Sequence, residues 1–257
     1  MIKNFLIDIE GTIIKDKTFV PVTGVPRWFK TIRQEGISFV LASNNTTHSP
    51  DELRKALNNN GFDFKEYELI TCLSIAVDEL KVNKCEKCFV LASDSVKEFL
   101  KSGGFNVIES DNADAVIVGL DLEIDYNRFK TAVEALLKGA SFIALHKNRL
   151  YRDIDGKFSI SAGGIAAALE YTTKRDAEVI GKPSEKFYQK ALKKLGSAVE
   201  DTLFISDDPF SDLKGAKNAG LKTCFVLSGK YRSKDVLKEL PVEYYPDIII
   251  KDITELL

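Results

Sequence analysis

Residues 5–14 read FLIDIEGTII. Phe5, Leu6 and Ile7 begin as a strand buried on both faces would, and Gly11 marks the turn that follows. Two carboxylates, Asp8 and Glu10, stand at the end of this apolar run, two positions apart. In open α/β sheets ligands bind beyond the carboxyl ends of the strands. The residues that follow each apolar run are therefore the ones that bear on function.

Short apolar runs alternate with helix-period segments along the chain. FLIDI precedes GVPRWFKTIRQEG, and SFVLAS precedes SPDELRKALNNNG. In the latter, Ser49 suits an N-cap, Pro50 the first helical position, Glu52 a capping box and Gly61 the stop. AEVI precedes SEKFYQKALKKLG, and TLFIS precedes SDLKGAKNAG. KTCFVL and DIII follow, the last leading into a short C-terminal helix. Strand–helix alternation predicts an α/β fold with a mainly parallel sheet. The middle repeats the pattern, with strands CFVLA, DAVIVGL and SFIALH between helices. It reads as a unit of its own, residues 81–178, set between residues 1–80 and 179–257 of a discontinuous core.

The chain has 257 residues, 44% hydrophobic and 29% charged, which is enough for a sizeable core. Its 36 Lys and Arg balance 38 Asp and Glu, so composition offers no basic footprint for nucleic acid or an anionic membrane. The longest apolar runs are too short to span a bilayer. With no charged leader ahead of the first strand, we expect a cytoplasmic protein. Cys72 and Cys224 lie in strand-like runs. Cys85 and Cys88 form CEKC, which lacks the second ligand pair a structural zinc would need. It reads as a turn before FVLA, with a redox pair or disulfide as the alternative.

Four strand ends carry the chemistry. FLI ends in Asp8, with Glu10 after it. FVLA ends in Ser43, Asn44 and Asn45. AEVI ends in Gly181 and Lys182. LFI ends in Ser206, Asp207 and Asp208, with Asp212 beyond. Loop starts are polar anyway, which explains each end alone but explains all four together poorly. The set matches phosphoryl transfer through an aspartyl-phosphate. That reaction needs a carboxylate nucleophile, Mg²⁺ on carboxylates, donors for the phosphoryl oxygens and an acid/base for the leaving group. On this reading Asp8 attacks and touches the metal, and Asp207 is a further metal ligand. Ser43 and the backbone at Asn44 hold a phosphoryl oxygen, Lys182 neutralises charge, and Asp212 orients Lys182 or a metal-bound water from behind.

DIEGT, LASNN, GKPSEKF and SDDPFSDLKGAKNAG resemble, in order, the four motifs of the haloacid dehalogenase superfamily. The middle segment, with VIVGLD, LLKGASFIALHKNRLY and SAGGIAAALEY, resembles the cap of its NagD-like p-nitrophenyl phosphatases. IALHKNRLYRDIDGK, ALEYTTK and SGKYRSKD are similar to the branch containing phospholysine phosphohistidine inorganic pyrophosphate phosphatase. The resemblance covers essentially the whole chain. It implies a Rossmann-like core with an inserted C2-type cap, and Mg²⁺-dependent hydrolysis of a small phosphorylated metabolite, with p-nitrophenyl phosphate as a test substrate. It also implies that Glu10 gives the metal its backbone carbonyl, that Asn44 and Asn45 lie by the substrate, and that the protein could pair through its cap.

Two positions depart from the common motifs. Ser206 stands where the fourth motif usually has Gly, a change small enough to be harmless. Glu10 stands where most relatives have Asp. One extra methylene moves its carboxyl by roughly 1 Å, and misplacement on that scale can cost on the order of 100-fold. The expected enzyme is therefore stronger on activated phosphates; a catalytically weak binding or regulatory protein is the alternative. In the cap, HKNRLYR holds His146, Lys147, Arg149 and Arg152, either reaching the leaving group or forming an exposed loop. Gly163 and Gly164 begin a helix either for anion approach or for close packing, and His48 reads as local structure near the second motif.

Overall fold

The computed structural model describes residues 4–15, 17–152 and 157–256. Its strands and helices run, in chain order, β1 (Asn4–Asp8), α1 (Val25–Gln34), β2 (Ser38–Ser43), α2 (Pro50–Asn59), β3 (Leu69–Thr71), α3 (Cys72–Val82), β4 (Lys87–Leu91), α4 (Asp94–Ser102), β5 (Asn106–Val107) and β6 (Ala115–Val118). There follow α5 (Tyr126–Leu137), β7 (Ser141–Ala144), β8 (Leu150–Arg152), β9 (Phe158–Ile160), α6 (Ala162–Thr173), β10 (Glu178–Val179), α7 (Glu185–Leu195), β11 (Thr202–Ser206), α8 (Lys214–Asn218), β12 (Lys222–Val226) and β13 (Ile248–Ile250). Two compact units result. One holds Met1–Ser43, Asp51–Ile70 and Lys182–Leu257; the other holds Asn44–Pro50 and Thr71–Gly181.

The first unit is built on a six-stranded sheet ordered β13-β12-β11-β1-β2-β3. β1 pairs in parallel with β2 and with β11, Ile7 lying opposite Leu41 on one side and Ile205 on the other. The early strands run outward from β1 one way and the late strands the other. The order therefore reverses between β1 and β11, the place where sheets of this type open a crevice. Side chains alternate faces along each strand. Phe5 and Ile7 join Trp28 and Phe29 of α1 in one buried cluster, where Phe29 lies 4.8 Å from both Phe39 and Phe64. Phe204 meets Tyr188 of α7 edge-on at 5.3 Å. Helix α7 buries Phe187, Tyr188, Ala191 and Leu192, is capped at its start by Ser184, and stops at left-handed Gly196.

The second unit, the cap domain, has its own five-stranded parallel sheet, β10-β7-β6-β4-β5, and an antiparallel hairpin of β8 and β9. β10 corrects the sequence reading. AEVI was expected to end at the edge shared by the other three motifs, but Glu178 and Val179 pair with Ile143 and Ala144 of β7. A two-residue strand says nothing in sequence about which sheet receives it. Inside the cap, Arg128 closes an ion pair with buried Asp121 at 2.5 Å and donates to the Val90 carbonyl at 2.8 Å. The short C-terminal helix is the 3₁₀ turn Ile253–Leu256. All four cysteines are buried and none is in a disulfide, Cys85 and Cys88 included.

Candidate active site

Asp8 follows Leu6 by two residues on β1, and Ser206 follows Phe204 by two on β11. Since Leu6 and Phe204 lie in register, Asp8 and Ser206 come to the same face at the same level. Asp8 is opposite Ala42, so Ser43, the last residue of β2 and 4% exposed, lies one step further along the same edge. Lys182 enters from the chain just ahead of α7, and its ammonium is 2.5 Å from Asp8 Oδ1 and 2.5 Å from Asp212 Oδ2. Gly215 of α8 makes room for this approach. A Cβ there would stand 2.8 Å from the Cα of Pro183, the residue next to Lys182.

Asp212 is held in turn. Ser206 Oγ donates to its Oδ2 at 3.0 Å, and the Tyr188 hydroxyl donates to its backbone carbonyl at 2.7 Å. It sits on a single π-turn, Pro209–Leu213, opened by Asp208, whose Oδ1 accepts from the backbone of Phe210 and Ser211 at 3.0 Å each. Such π-turns recur at functional sites.

Asp207 lies in a glycine cradle. Gly11, at a φ of +80°, and Gly229 flank its carboxylate so closely that a Cβ on either would collide with it. The Lys230 backbone N–H donates to Asp207 Oδ2 at 2.5 Å, while the Lys230 ammonium pairs with Asp208 at 2.8 Å. The loop between β1 and α1 is pinned by bonds from the Ile13 and Ile14 amides to the Ile9 carbonyl, and Glu10 is exposed on it.

The electrostatics are those of too many carboxylates for one cation. Burial lowers the Lys182 pKa, but the charges of Asp212 and Asp8 outweigh it and leave Lys182 above the ordinary lysine value. The carboxylates are nonetheless destabilised. Burial raises Asp8 against the pull of Lys182, and raises Asp212 to about 6. Burial, then the charge on Asp8, pushes Asp207 well above its ordinary value. Asp8 and Asp212 share one buried ammonium and Asp207 has only a backbone N–H, so the buried carboxylates outnumber the buried cation. Among the described residues no three His, Cys, Asp or Glu side chains converge as a metal cage. An all-oxygen donor set of two carboxylates and a carbonyl suits a hard cation that keeps several waters, as Mg²⁺ does. Asp8, Asp207 and the Glu10 carbonyl are the groups that the motif resemblance implies as its ligands.

The other expected site residues are placed differently. Asn45 Oδ1 accepts from the Thr47 and His48 amides at 3.0 and 2.9 Å, which ties the loop, and the Thr47 hydroxyl lies 3.1 Å from His48 Nδ1. Asn44 packs against Gly181, filling the space a Cβ would need. His146 is 5% exposed inside the cap; its Nδ1 accepts from the Asn148 amide at 3.2 Å, and Nε2 faces the Thr46 hydroxyl at 3.5 Å. Lys147 is paired with Glu170 at 2.7 Å, and Arg149 is exposed. Gly163 packs against the Lys147 and Asn148 carbonyls, and Gly164 against Ile160. The Arg152 side chain and residues 153–156 lie outside the described residues. Sequence reasoning missed the Gly229–Lys230 amide and the role of Ser206. The signal for the first was a fifth strand end, KTCFVL followed by Ser228, Gly229 and Lys230.

Residues 5–106 match the haloacid dehalogenase-like hydrolase family, and residues 179–256 match the HAD-hydrolase-like family. A cattle protein, haloacid dehalogenase-like hydrolase domain-containing protein 2, is 32% identical over 95% of this chain and 91% of its own length. The chain belongs to the haloacid dehalogenase-like hydrolases. Within them it is a NagD-like phosphatase. Phospholysine phosphohistidine inorganic pyrophosphate phosphatase of Xenopus laevis is 30% identical over 79% of this chain and 74% of that one. NagD of Escherichia coli K-12 superposes with a TM-score of 0.87 at 27% identity, covering 100% of this chain and 99% of NagD. The p-nitrophenyl phosphatase of Archaeoglobus fulgidus does so with a TM-score of 0.90 at 26% identity, covering 99% of each chain.

Proposed function

We propose that this phosphatase is Mg²⁺-dependent, hydrolyses small phosphate monoesters including p-nitrophenyl phosphate, and works through a phosphorylated Asp8. The observation that carries the reading is the buried Lys182 ammonium, 2.5 Å from both Asp8 and Asp212, beside a third buried carboxylate, Asp207. A fold needs no such cluster, since burying unbalanced charge is costly. A phosphoryl-transfer site does need it.

Mg²⁺, when bound to Asp8, Asp207 and the Glu10 carbonyl, supplies the positive charge that offsets the carboxylates and the phosphoryl oxygens. The Asp8 carboxylate attacks phosphorus, and the bond to the leaving oxygen breaks as the Asp8–phosphorus bond forms. Lys182 holds Asp8 in its ionised form and faces the developing charge, and Ser43 donates to a phosphoryl oxygen. Glu10 gives a proton to the leaving oxygen and afterwards takes one from the water that cleaves the acyl phosphate.

Glu10 is one methylene longer than the usual Asp, which favours leaving groups that need little protonation. The names of two relatives, one for p-nitrophenyl phosphate and one for phospholysine, phosphohistidine and pyrophosphate, fit that preference. No helix among the described residues is long and apolar enough to cross a membrane. Four cysteines outside any disulfide suit a reducing compartment, the cytoplasm in our reading. The test is Asp8→Asn. Mg²⁺-stimulated p-nitrophenyl phosphate hydrolysis is expected to fall to background with the fold intact by circular dichroism. Metal-stimulated turnover that survives the change would overturn the proposal.

A further inference from the structure

We propose that the core unit carries a second anion site, apart from the Asp8 crevice, that takes a tetrahedral dianion of the phosphate type. A cavity of about 500 Å³ opens among Lys15, Thr23, Ser228, Arg232, Lys251 and Asp252. Asp8, Ser43, Lys182 and Asp207 do not line it. Its walls come from the loop after β1, the segment after β12 and the end of β13, so the fold gathers residues far apart in the chain.

The charges on these walls are not balanced locally. Lys217, Lys230 and Lys238 of the same unit are each paired with an aspartate. Lys15, Arg232 and Lys251 form no ion pair among the described residues. The carboxylate on the wall, Asp252, uses Oδ1 to hold its own turn, accepting from the Thr254 amide at 2.9 Å and the Thr254 hydroxyl at 2.5 Å. Among the described residues three exposed cations and Asp252 line the space, with the Glu255 carboxylate accepting from the Lys251 amide beside it, so the lining keeps a positive excess.

Charge, donor type and size agree on the ligand. A positive excess on the lining suits an anion. Arg232 offers the planar fork that takes two phosphate oxygens at once, and the lysines offer point charges. The Thr23 hydroxyl adds a donor. The volume lies within the ordinary range of small-molecule sites, and the mostly polar lining excludes an apolar ligand. Ser228 has a different part. Its Oγ donates to the Gly11 carbonyl at 2.7 Å, fixing the cavity wall to the loop whose glycine flanks Asp207. An anion held here therefore bears on the loop next to the Asp207 cradle. None of this depends on Asp8 being a nucleophile.

The full chain, freed of metal with EDTA, is titrated with sulfate by calorimetry beside the variant R232Q/K251Q. Sulfate is expected to occupy a site in the parent that weakens at least about tenfold in the variant, because charge-assisted contacts are lost. Initial-rate p-nitrophenyl phosphate turnover in sulfate-free chloride buffer and the melting temperature should stay as they were. Superimposable isotherms, or a turnover loss as large as the loss of sulfate affinity, would overturn the proposal. Crystals soaked in tungstate give an answer that needs no variant: a heavy anion between Arg232 and Lys251 supports the site, and one at Asp8 alone refutes it. If the site is there, inorganic phosphate and methylphosphonate titrated in parallel show whether the free ion or an organic phosphate is its ligand.

Discussion

One ammonium serves two carboxylates at Lys182, and that ratio governs what substitutions and pH will do. Lys182→Met removes the cation and leaves Asp8 and Asp212 buried without it; kcat is expected to fall by about 10²–10³, the usual loss for a donor facing developing charge. Asp212 gives a pH test. Its folded pKa, about 6, lies above the ordinary carboxylate value because of burial. The metal-free protein therefore favours protonated Asp212, has that contribution in full below about pH 4, and loses it as pH rises through about 6. Mg²⁺ binds where the carboxylates are ionised, so the rise in melting temperature it causes should be larger near pH 7 than near pH 5; an equal rise at both would contradict the charge balance. Ser206→Gly restores the usual family residue but deletes a bond to Asp212. We expect a loss of about 0.5–1.5 kcal/mol in stability and a few-fold lower kcat, read by denaturant titration and steady-state kinetics. Glu10→Asp should raise turnover of an alkyl phosphate more than that of an aryl phosphate; equal changes on both would remove the leaving-group argument. Asp8, Ser43, Lys182, Asp207 and Asp212 were legible because each follows or flanks an apolar run with a residue type that phosphoryl chemistry needs. Ser206 was not, since sequence shows a small residue tolerated in place of glycine, and the hydrogen bond to Asp212 exists only in space.

At the scale of elements, close approaches rather than side-chain chemistry set the geometry. Pro183 rests against Gly215, so α8 fixes the depth to which Lys182 reaches. Gly215→Ala must push Pro183 away. We expect kcat to drop on the order of 10–100-fold, since shifts near 1 Å carry such costs, with only about 1–3 kcal/mol of stability lost to overpacking. Kinetics compared with thermal melting checks this, and an activity loss no greater than the loss of folded protein would speak against the packing account. Helix α2 was readable because serine, proline and glycine signals bracketed an apolar stripe, and it begins where those signals stand, while α7 was readable from its helix period alone. β10 was not, because pairing partners are a non-local choice. Arg149 and His146 came from one charged stretch, HKNRLYR, yet one is exposed and the other buried. Periodicity cannot tell those apart in a loop.

At the scale of the molecule, the six-stranded sheet packs on a hydrophobic cluster around Trp28 and Phe29 and the five-stranded sheet on another around Phe142 and Ile165. Chains with separate cores depart from two-state unfolding. Differential scanning calorimetry should resolve two components, with Mg²⁺ raising only the one belonging to the unit that holds Asp8 and Asp207; a single transition, or a shift of both, would contradict this. The α/β class was visible from alternation alone, while the way two chain segments share one sheet depended on contacts between residues about two hundred positions apart. That sharing has a consequence during synthesis. Asn4 lies beside Thr202, so the central strand waits on the ribosome until its second neighbour has been made. The cap strands, from Lys87 to Val179, find all their partners within one continuous stretch. Low loop-closure cost favours that stretch as the first to fold, and the nascent chain then carries the unsatisfied edge of β1 past a domain that is already formed.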